Sequence, residues 1–427
     1  MPSHTTHDQT IVITGIGAIT PIGLNARTVW EAMRTGTSGI SPLEGEQFAR
    51  FEGQWQARVA GHVSGWEPGD HIDPREARRL DRSAQFGMAA IGQAIKDAGL
   101  DFSAMPPERA GIAFGTGVGG ISTIENGHST LLDRGPKRLS PLTVPMLMVN
   151  ATAGNASIAY GLRGPATAMA TACASSGNAI GEAVETLRRG RADVMIAGGT
   201  EAAITPLCIG AFQAMKALST NDEPLKASRP FDADRDGFVL AEGAAACILE
   251  TEAHAKARGA TILAELAGWA ASADAHHITA PDEAGRGARQ AMAWALEDAG
   301  LSPSDVGYIN AHGTSTPLGD SAEIAAVLDV FGDHARKSAG GSLLMSSTKS
   351  VHGHALGASG AVELIACINA LREGVIPPTI NLDNPEEGFD IDLVANEARK
   401  APIKYAMNNT FGFGGHNVSL IAGRYDG

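Results

Sequence analysis

The chain has 427 residues, 44% of them hydrophobic and 19% charged, which is typical of a well-packed enzyme of one large or two fused domains. Its formal net charge of −14 argues against a nucleic acid as main partner, because phosphate binding needs a basic surface. Its cysteines, Cys173, Cys208, Cys247 and Cys367, lie far apart without disulfide-frame or CxxC spacing, which indicates a reducing compartment. We find no signal-peptide pattern and no apolar run of about 18 residues, and expect a cytoplasmic protein without a membrane span.

Apolar runs and helical patterns alternate along the chain. The stretch IVITGIGAITPIG, near the N-terminus, is typical of a strand followed by a glycine-rich turn. The later runs VMIAGG, ACILE, GYINAH and LLMSST are typical of strands buried on both faces. This alternation predicts an α/β protein with mainly buried sheets.

Two segments about half a chain apart resemble each other. Residues 94–120 and 295–320 each contain a helical pattern closed by Asp-Ala-Gly-Leu, a short loop, a buried strand and a turn rich in glycine and threonine. The repeat predicts two similar halves, residues 1–258 and 259–427, with a seam near residues 254–261. Two unrelated helix–loop–strand units that share a C-terminal glycine would give the same pattern.

One cysteine lies at a predicted bend, in the stretch ATACASSGNAIGEAV. Before Cys173, the residues PATAMATA favour a buried strand; after it, a helical stripe begins at Ile180 and Gly190 closes the helix. A helix N-terminus favours the thiolate, and its free N–H groups can hold an oxyanion when a thioester is attacked. The sequence therefore predicts a nucleophile at Cys173, and an inert buried cysteine is the alternative.

Two histidines follow in similar surroundings. His312 ends the predicted strand GYINA, and His354 precedes a predicted helix, whose positive end would keep the imidazole neutral. Because α/β folds place their sites at strand ends, we expect both histidines to join Cys173 in one site. The ligand spacing of structural zinc is absent, although His352 and His354 are two residues apart, so we predict no metal.

Four motifs, TACASS, NAHGTSTPLGD, STKSVHGHALGASGAVE and NTFGFGGHN, occur in this order. With them the chain resembles, over essentially its whole length, the β-ketoacyl-acyl carrier protein synthases of type II fatty-acid synthesis. The resemblance implies the thiolase fold, in which two similar halves stack as five layers, α-β-α-β-α. It also implies a decarboxylative Claisen condensation, a homodimer, and no cofactor beyond the phosphopantetheine arm of the acyl carrier protein.

The resemblance implies a role for each matching residue. Cys173 would take the acyl chain as a thioester, and His312 and His354 would bind the malonyl thioester and promote loss of CO2. Lys349 and Glu363 would form an ion pair that orients the second histidine. The other implied positions are Phe413 in the oxyanion hole and as a gate, Val118 and Phe212 along the acyl tunnel, and Thr314 and Thr316 along the phosphopantetheine arm.

Docking of an acidic carrier protein on a chain of charge −14 needs a local basic patch. Stretches that match the family near the tunnel mouth supply the candidates Arg75, Arg78, Arg79, Lys137, Arg138 and Lys216. Solvated surface charges without a docking role are the alternative. The chain also departs from the family at His352, where threonine is usual, and in GGHN, where GGTN is usual; the first departure puts the hydrogen bonding beside His354 in question.

Three other functions fit parts of the pattern. A polyketide ketosynthase of the same fold is not separated by the sequence. A non-catalytic partner that sets chain length would lack the nucleophile, which is present here as Cys173. A thiolase would carry two cysteines and one histidine, whereas His354 supplies a second histidine here. The preferred acyl chain length is not predicted.

Overall fold

The computed structural model describes residues 9–427. Its strands are β1 Ile11–Ile19, β2 Ser41–Pro42, β3 Val59–Ala60, β4 Ala110–Gly115, β5 Ala166–Met169, β6 Val194–Glu201, β7 Gly243–Thr251, β8 Ala264–Ala273, β9 Val306–Asn310, β10 Leu344–Ser346, β11 Val375–Ile376, β12 Arg399–Lys400, β13 Tyr405–Gly412 and β14 His416–Gly423. Its α-helices are α1 Ala26–Thr35, α2 Glu46–Ala49, α3 Pro74–Ala77, α4 Arg82–Ala98, α5 Ile121–Arg134, α6 Thr143–Leu147, α7 Ala151–Tyr160, α8 Ser175–Arg188, α9 Pro206–Ala214, α10 Pro224–Ala227, α11 Glu252–Ala257, α12 Arg286–Ala299, α13 Pro317–Phe331, α14 Lys349–His352 and α15 Ser359–Glu373.

Ten strands form one mixed sheet in the order β10-β9-β13-β14-β8-β1-β7-β6-β4-β5. If the five strands that each half contributes to this sheet are numbered in chain order, their spatial order from the outer edge to the centre is 3-2-4-5-1 in both halves. The parallel and antiparallel pairings are also the same. The halves join where β1 pairs with β8, at Val12 with Glu265 and Ile13 with Ala264. The predicted duplicated α/β fold is confirmed, and the boundary between residues 258 and 259 stays a prediction.

The repeated segments occupy equivalent places in the two halves. Helix α4 precedes β4, and α12 precedes β9, each as the helix before the second strand of its half. Both helices end at a glycine with positive φ, Gly99 at 60° and Gly300 at 65°, which is the usual left-handed C-cap.

Helices cover both faces of each half and give five layers. The central layer is α8 and α15, whose apolar side chains share one core with strands of both halves, among them Ile180, Val184, Leu364 and Ile368. Helices α4 and α7 cover the outer face of the first half, and α12 and α13 lie outside the second. Each fully buried Leu or Ile stabilises the fold by about 1.5–3 kcal/mol, so this central layer fixes how the halves meet.

The junctions before the two central helices are alike. Each is a single 3₁₀ turn, residues 172–174 before α8 and residues 356–358 before α15. Each turn begins at a non-glycine residue with positive φ, Ala172 at 50° and Leu356 at 43°, a conformation that L-residues adopt only under strain. Strain of this kind concentrates at functional sites, and the second residue of the first turn is Cys173.

The prediction of buried strands is correct for β6, β7 and β10 and for most of β9. In the single chain it is wrong for the segment before Cys173, because β5 is the edge strand of the sheet and its first residues, Ala166 and Thr167, are exposed. No helix within residues 9–427 is long and apolar enough to span a bilayer.

Candidate active site

A cavity of about 630 Å³ opens at the junction of the two halves. It brings together the predicted nucleophile and both predicted histidines, which come from three separate turns of the chain. The predicted site residues that line it are Val118, Cys173, Phe212, Lys216, His312, Thr314, Thr316, His354 and Phe413. The site is therefore built from both halves of the fold.

Cys173 lies in the turn between β5 and α8, and the fold aims its sulfur at the cavity. The Cys173 Sγ atom is 3.0 Å from His354 Nε2. The backbone N–H groups of Phe413 and of Cys173 itself are near enough to the sulfur to lower its pKa. A carbonyl carbon bonded to this sulfur would thus have two N–H donors beside it, which is the arrangement of an oxyanion hole.

The thiol of Cys173 is held in its protonated form. Burial raises the pKa of Cys173 to about 12, an effect that outweighs the opposing influence of Lys349 and of the two backbone N–H groups. Desolvation in the enclosed site thus opposes the thiolate that the predicted helix N-terminus favours. The sulfur needs a base when it attacks, and His354 Nε2 is within hydrogen-bonding reach.

His354 is a neutral imidazole. Burial, and next the charge of Lys349, hold its pKa well below the usual value. The turn of residues 356–358 leads directly into α15, so a helical segment does begin shortly after His354, and the effect of its N-terminus stays a prediction. Its Nδ1 is 3.0 Å from the hydroxyl of Ser359, which can accept a hydrogen bond from one tautomer of the ring or donate one to the other.

His312 follows β9 and faces the same space. The rings of His312 and His354 are nearly perpendicular, with centroids 5.4 Å apart. Burial, Lys349 and His354 hold the pKa of His312 well below its usual value, so this ring is neutral as well. Its buried Nδ1 has no hydrogen-bond partner among residues 9–427. Two neutral imidazoles on adjoining walls can donate hydrogen bonds to one substrate oxygen.

A buried ion pair lies behind the histidines. Lys349 Nζ bonds the carboxylate of Glu363, and both side chains are fully buried. Burial raises the pKa of Glu363 to about 7, against the influence of Lys349, which lowers it. The cation of Lys349 is a common reason why both histidines stay neutral, because it opposes a second positive charge nearby.

The acyl side of the cavity is apolar. Val118 and Phe212 pack against an apolar cluster to which Cys173 belongs. Other members of this cluster are Ile121, Ile204, Cys208, Phe238 and Leu356. The ring of Phe212 lies 5.3 Å from that of Phe238 and 6.5 Å from that of Phe413. An alkyl chain on the sulfur would be buried in these surroundings.

The opposite side carries hydroxyls. Thr314 and Thr316 line the cavity with their Oγ1 atoms 3.0 Å apart. Lys216, which is exposed, also belongs to this lining. The other predicted docking residues, Arg75, Arg78, Arg79, Lys137 and Arg138, are exposed and do not line the cavity. One of them is already paired, since Arg79 forms an ion pair with Glu76 at 3.4 Å.

His352 does not enter the cavity. It is fully buried in α14, and its Nε2 is 3.3 Å from the hydroxyl of Thr348. Burial and Lys349 lower the pKa of His352 to about 3, so the ring is neutral. Within residues 9–427 no group of three or more His, Cys, Asp or Glu side chains is placed to hold a metal ion.

Two buried carboxylates are missing from the sequence predictions. Glu323 accepts hydrogen bonds from the backbone N–H groups of His312 and Gly313 at 2.9 and 2.8 Å. Glu201 likewise accepts hydrogen bonds from the backbone N–H groups of Gly117 and Val118. An acidic residue at the end of a buried strand, as in VMIAGGTE, is the only signal in the sequence that points to such a role.

A buried thiol within hydrogen-bonding distance of a neutral imidazole, beside an apolar cavity, suits an enzyme that carries an acyl group covalently. Residues 8–255 match the family "Beta-ketoacyl synthase, N-terminal domain", and residues 263–383 match "Beta-ketoacyl synthase, C-terminal domain". The chain belongs to the β-ketoacyl synthase family, as its motifs predicted.

Curated relatives align with nearly the whole chain. The 3-oxoacyl-[acyl-carrier-protein] synthase 2 of Vibrio harveyi is 48% identical over 412 residues, 96% of this chain and 97% of the relative. The protein of the same name from Staphylococcus aureus (strain COL) is 44% identical over 420 residues, 98% of this chain and 99% of the relative.

Solved structures of the same fold include a beta-ketoacyl synthase from Burkholderia phymatum, with a TM-score of 0.89 and 34% identity over 98% of this chain and 100% of the other. Another is a ketosynthase of a type II polyketide synthase in complex with its acyl-carrier protein and bound to a hexaketide. It has a TM-score of 0.88 and 33% identity over 98% of this chain and 100% of the other.

Proposed function

We propose that this chain condenses acyl-acyl carrier protein with malonyl-acyl carrier protein, giving 3-oxoacyl-acyl carrier protein, CO2 and free carrier protein, in the elongation step of fatty-acid biosynthesis. The observation that carries the proposal is the contact of 3.0 Å between Cys173 Sγ and His354 Nε2, with His312 on the adjoining wall. The test is turnover with purified carrier protein charged with acyl chains of graded length. Absence of a 3-oxoacyl product at every length would contradict it.

In the first half-reaction the thiol takes the acyl group. Cys173 Sγ attacks the thioester carbonyl as its proton passes to His354 Nε2, and a carbon–sulfur bond forms. The oxyanion accepts hydrogen bonds from the N–H groups of Cys173 and Phe413. The intermediate then expels the thiol of the carrier arm, which takes the proton back from His354. Thiols exchange thioesters readily in both directions, so this step needs no further activation.

In the second half-reaction His312 and His354 hold the malonyl thioester by its carbonyl oxygen. Between the half-reactions the ring of His354 changes tautomer, so that for this step its proton is on Nε2 and the Ser359 hydroxyl donates to Nδ1. The bond to the carboxylate breaks, CO2 leaves, and the electron pair enters the enolate that the two N–H donors stabilise. The enolate carbon attacks the acyl carbonyl, the carbon–sulfur bond breaks, and the Cys173 thiolate takes up one proton from solvent, which balances the negative charge that the malonyl carboxylate brought in. Electrons balance without a redox partner, and we propose no cofactor.

The degree of similarity favours fatty-acid synthesis over polyketide synthesis. Identity is 44–48% to relatives named 3-oxoacyl-[acyl-carrier-protein] synthase 2 but 33% to the type II polyketide ketosynthase. A non-catalytic role as a chain-length partner is disfavoured because Cys173 and both histidines line one cavity.

A homodimer is the proposed assembly. The edge strand β5 leaves its outer backbone groups free to pair with a second copy, as unprotected edge strands do. Helices α5 to α7, which precede it in the chain, expose large apolar side chains, among them Leu132, Val144 and Ile158. Such a surface is typical of an interface between subunits.

The free thiols of all four cysteines suit the cytoplasm, where we place the protein.

The docking patch gives a testable prediction. Charge reversal of Arg78 and Lys137 together is expected to raise KM for carrier-bound substrates by about tenfold and to weaken its salt dependence, because steering of an acidic partner is lost. Turnover of small pantetheine thioesters should stay nearly unchanged.

The matched control reverses Lys96 and Lys404, two exposed cations outside the candidate patch and the cavity lining, and changes the net charge equally. Docking takes place elsewhere if the Arg78 and Lys137 variant turns over carrier-bound substrates and pantetheine thioesters with the same loss. It also takes place elsewhere if the control variant shows the same rise in KM for carrier-bound substrates.

Phe413 gives a second prediction, that its loop moves once Cys173 is acylated. Gly412, Gly414 and Gly415 surround it, and the last two have φ of 85° and 73°. We expect Phe413→Ala to lower kcat/KM of condensation by about tenfold, because the gate no longer orders the substrates. The rate at which iodoacetamide alkylates Cys173 in this variant should stay within about twofold of the wild-type rate. Identical positions of Phe413 in crystals of the free and the acylated enzyme would count against gating.

A further inference from the structure

Glu201, the last residue of β6, is fully buried and has four hydrogen-bond donors around its carboxylate. Its Oε1 accepts from the hydroxyl of Thr116 at 2.9 Å and from the N–H of Val118 at 3.2 Å. Its Oε2 accepts from the N–H of Gly117 at 2.7 Å and from the N–H of Gly357 at 3.0 Å. Among residues 9–427 no cation forms a salt bridge with it, so its partners are these donors.

The donors belong to two segments that meet at the active site. Thr116, Gly117 and Val118 follow β4, in the first half, and the last two line the cavity on its acyl side. Gly357 lies three residues after His354, in the second half. The two segments touch directly, since a Cβ on Gly357 would come within 2.4 Å of the Gly117 nitrogen. We propose that Glu201 is a positioning residue that holds the acyl wall of the cavity against the turn carrying His354.

Only a carboxylate suits this place. A glutamine of the same size would turn its amide NH2 toward two of the four donors, which would lose their acceptor. Burial is the largest influence and leaves the pKa of Glu201 above its usual value, although all four bonds oppose it by favouring the ionised form. These hydrogen bonds stabilise the fold only while residues 116–118 and Gly357 stay within reach of the Glu201 carboxylate.

The inference rests on the proposed condensation, in which the acyl carbonyl on Cys173 must meet the enolate held by His354. Glu201 itself does not line the cavity, so it contacts no substrate. A shift of about 1 Å between the two segments would misalign the reacting carbons, and such a shift costs about 10²-fold in rate. Thr314 and Thr316, which would hold the arm, lie on a different turn, so binding of the arm should hardly change.

The experiment compares Glu201→Gln with Glu250→Gln. Glu250 is an equally buried carboxylate, on β7, that bonds Thr14 and Arg258 away from the cavity. Both variants are expected to melt at lower temperature than the wild type. At a temperature where all are folded, Glu201→Gln should lose about 10²-fold in kcat with KM for malonyl-carrier protein within about twofold, whereas Glu250→Gln should keep its kcat.

Thr116→Val keeps the shape of the side chain and removes one of the four donors, together with the acceptor of the Gly119 N–H. It serves as the second variant if Glu201→Gln does not fold. Its kcat is expected to fall about tenfold. A kcat within about twofold of wild type in every folded variant at these two positions, or an equal loss in Glu250→Gln, would overturn the positioning role. A wild-type enzyme that makes no 3-oxoacyl product would instead defeat the proposed function.

Discussion

Cys173→Ala is expected to form no acyl-enzyme and to lose condensation by roughly 10⁴-fold or more, as enzymes do when the nucleophile is removed. Within residues 9–427 no other cysteine lines the cavity, and Cys208, Cys247 and Cys367 are all buried. The measurement is intact mass after incubation with acyl-carrier protein, followed by mapping of the modified peptide.

The control is Cys208→Ala, because Cys208 belongs to the same apolar cluster but does not line the cavity. This variant should be acylated once, like the wild type. An acyl adduct on Cys173→Ala, or one mapped to Cys208 in the wild type, would refute the assignment of the nucleophile.

His354→Ala is expected to lower decarboxylation of malonyl-carrier protein by about 10²–10³-fold, because one of two N–H donors to the enolate oxygen is gone. The rate is best measured in the Cys173→Gln background, in which the amide imitates the acylated thiol. Cys173→Gln alone should keep decarboxylation or raise it, and should end condensation, since the two half-reactions use different groups.

His352→Thr serves as the matched control for His354→Ala. His352 is two residues away and equally buried, yet it does not line the cavity, and threonine is the usual residue of the family there. Its decarboxylation rate should stay within about threefold of the parent. Wild-type decarboxylation in His354→Ala would show that our division of roles between Cys173 and the histidines is wrong.

The sequence predicts which residues form the site, but it predicts their protonation states less well. Cys173 and His312 come shortly after β5 and β9, where α/β folds place their sites, so their role in a site is predictable. His354 instead follows α14, and the three side chains meet because the two halves pack together. The protonation states are harder to predict, because they depend on burial. Desolvation keeps Cys173 a thiol, and together with Lys349 it keeps both rings neutral.

For Glu201 the sequence indicates only its place at the end of a buried strand and none of its partners. Its partners are mostly backbone N–H groups of Gly117, Val118 and Gly357, and a backbone donor leaves no mark in the pattern of side chains. Periodicity also fails at β5, because small residues such as Ala166 and Thr167 occur equally at a sheet edge and in its interior. The tertiary arrangement alone distinguishes these cases.

The matching turns before α8 and α15 limit each chain to one acyl group. Counted from the strained residue that opens each turn, Cys173 in the first half corresponds to Gly357 in the second. A cysteine at position 357 could not act as a second nucleophile, because its Cβ would collide with the backbone nitrogen of Gly117. The two halves thus share an architecture but differ in their chemistry: in the proposed reaction the first half stores the chain being lengthened, and the second activates the unit that is added.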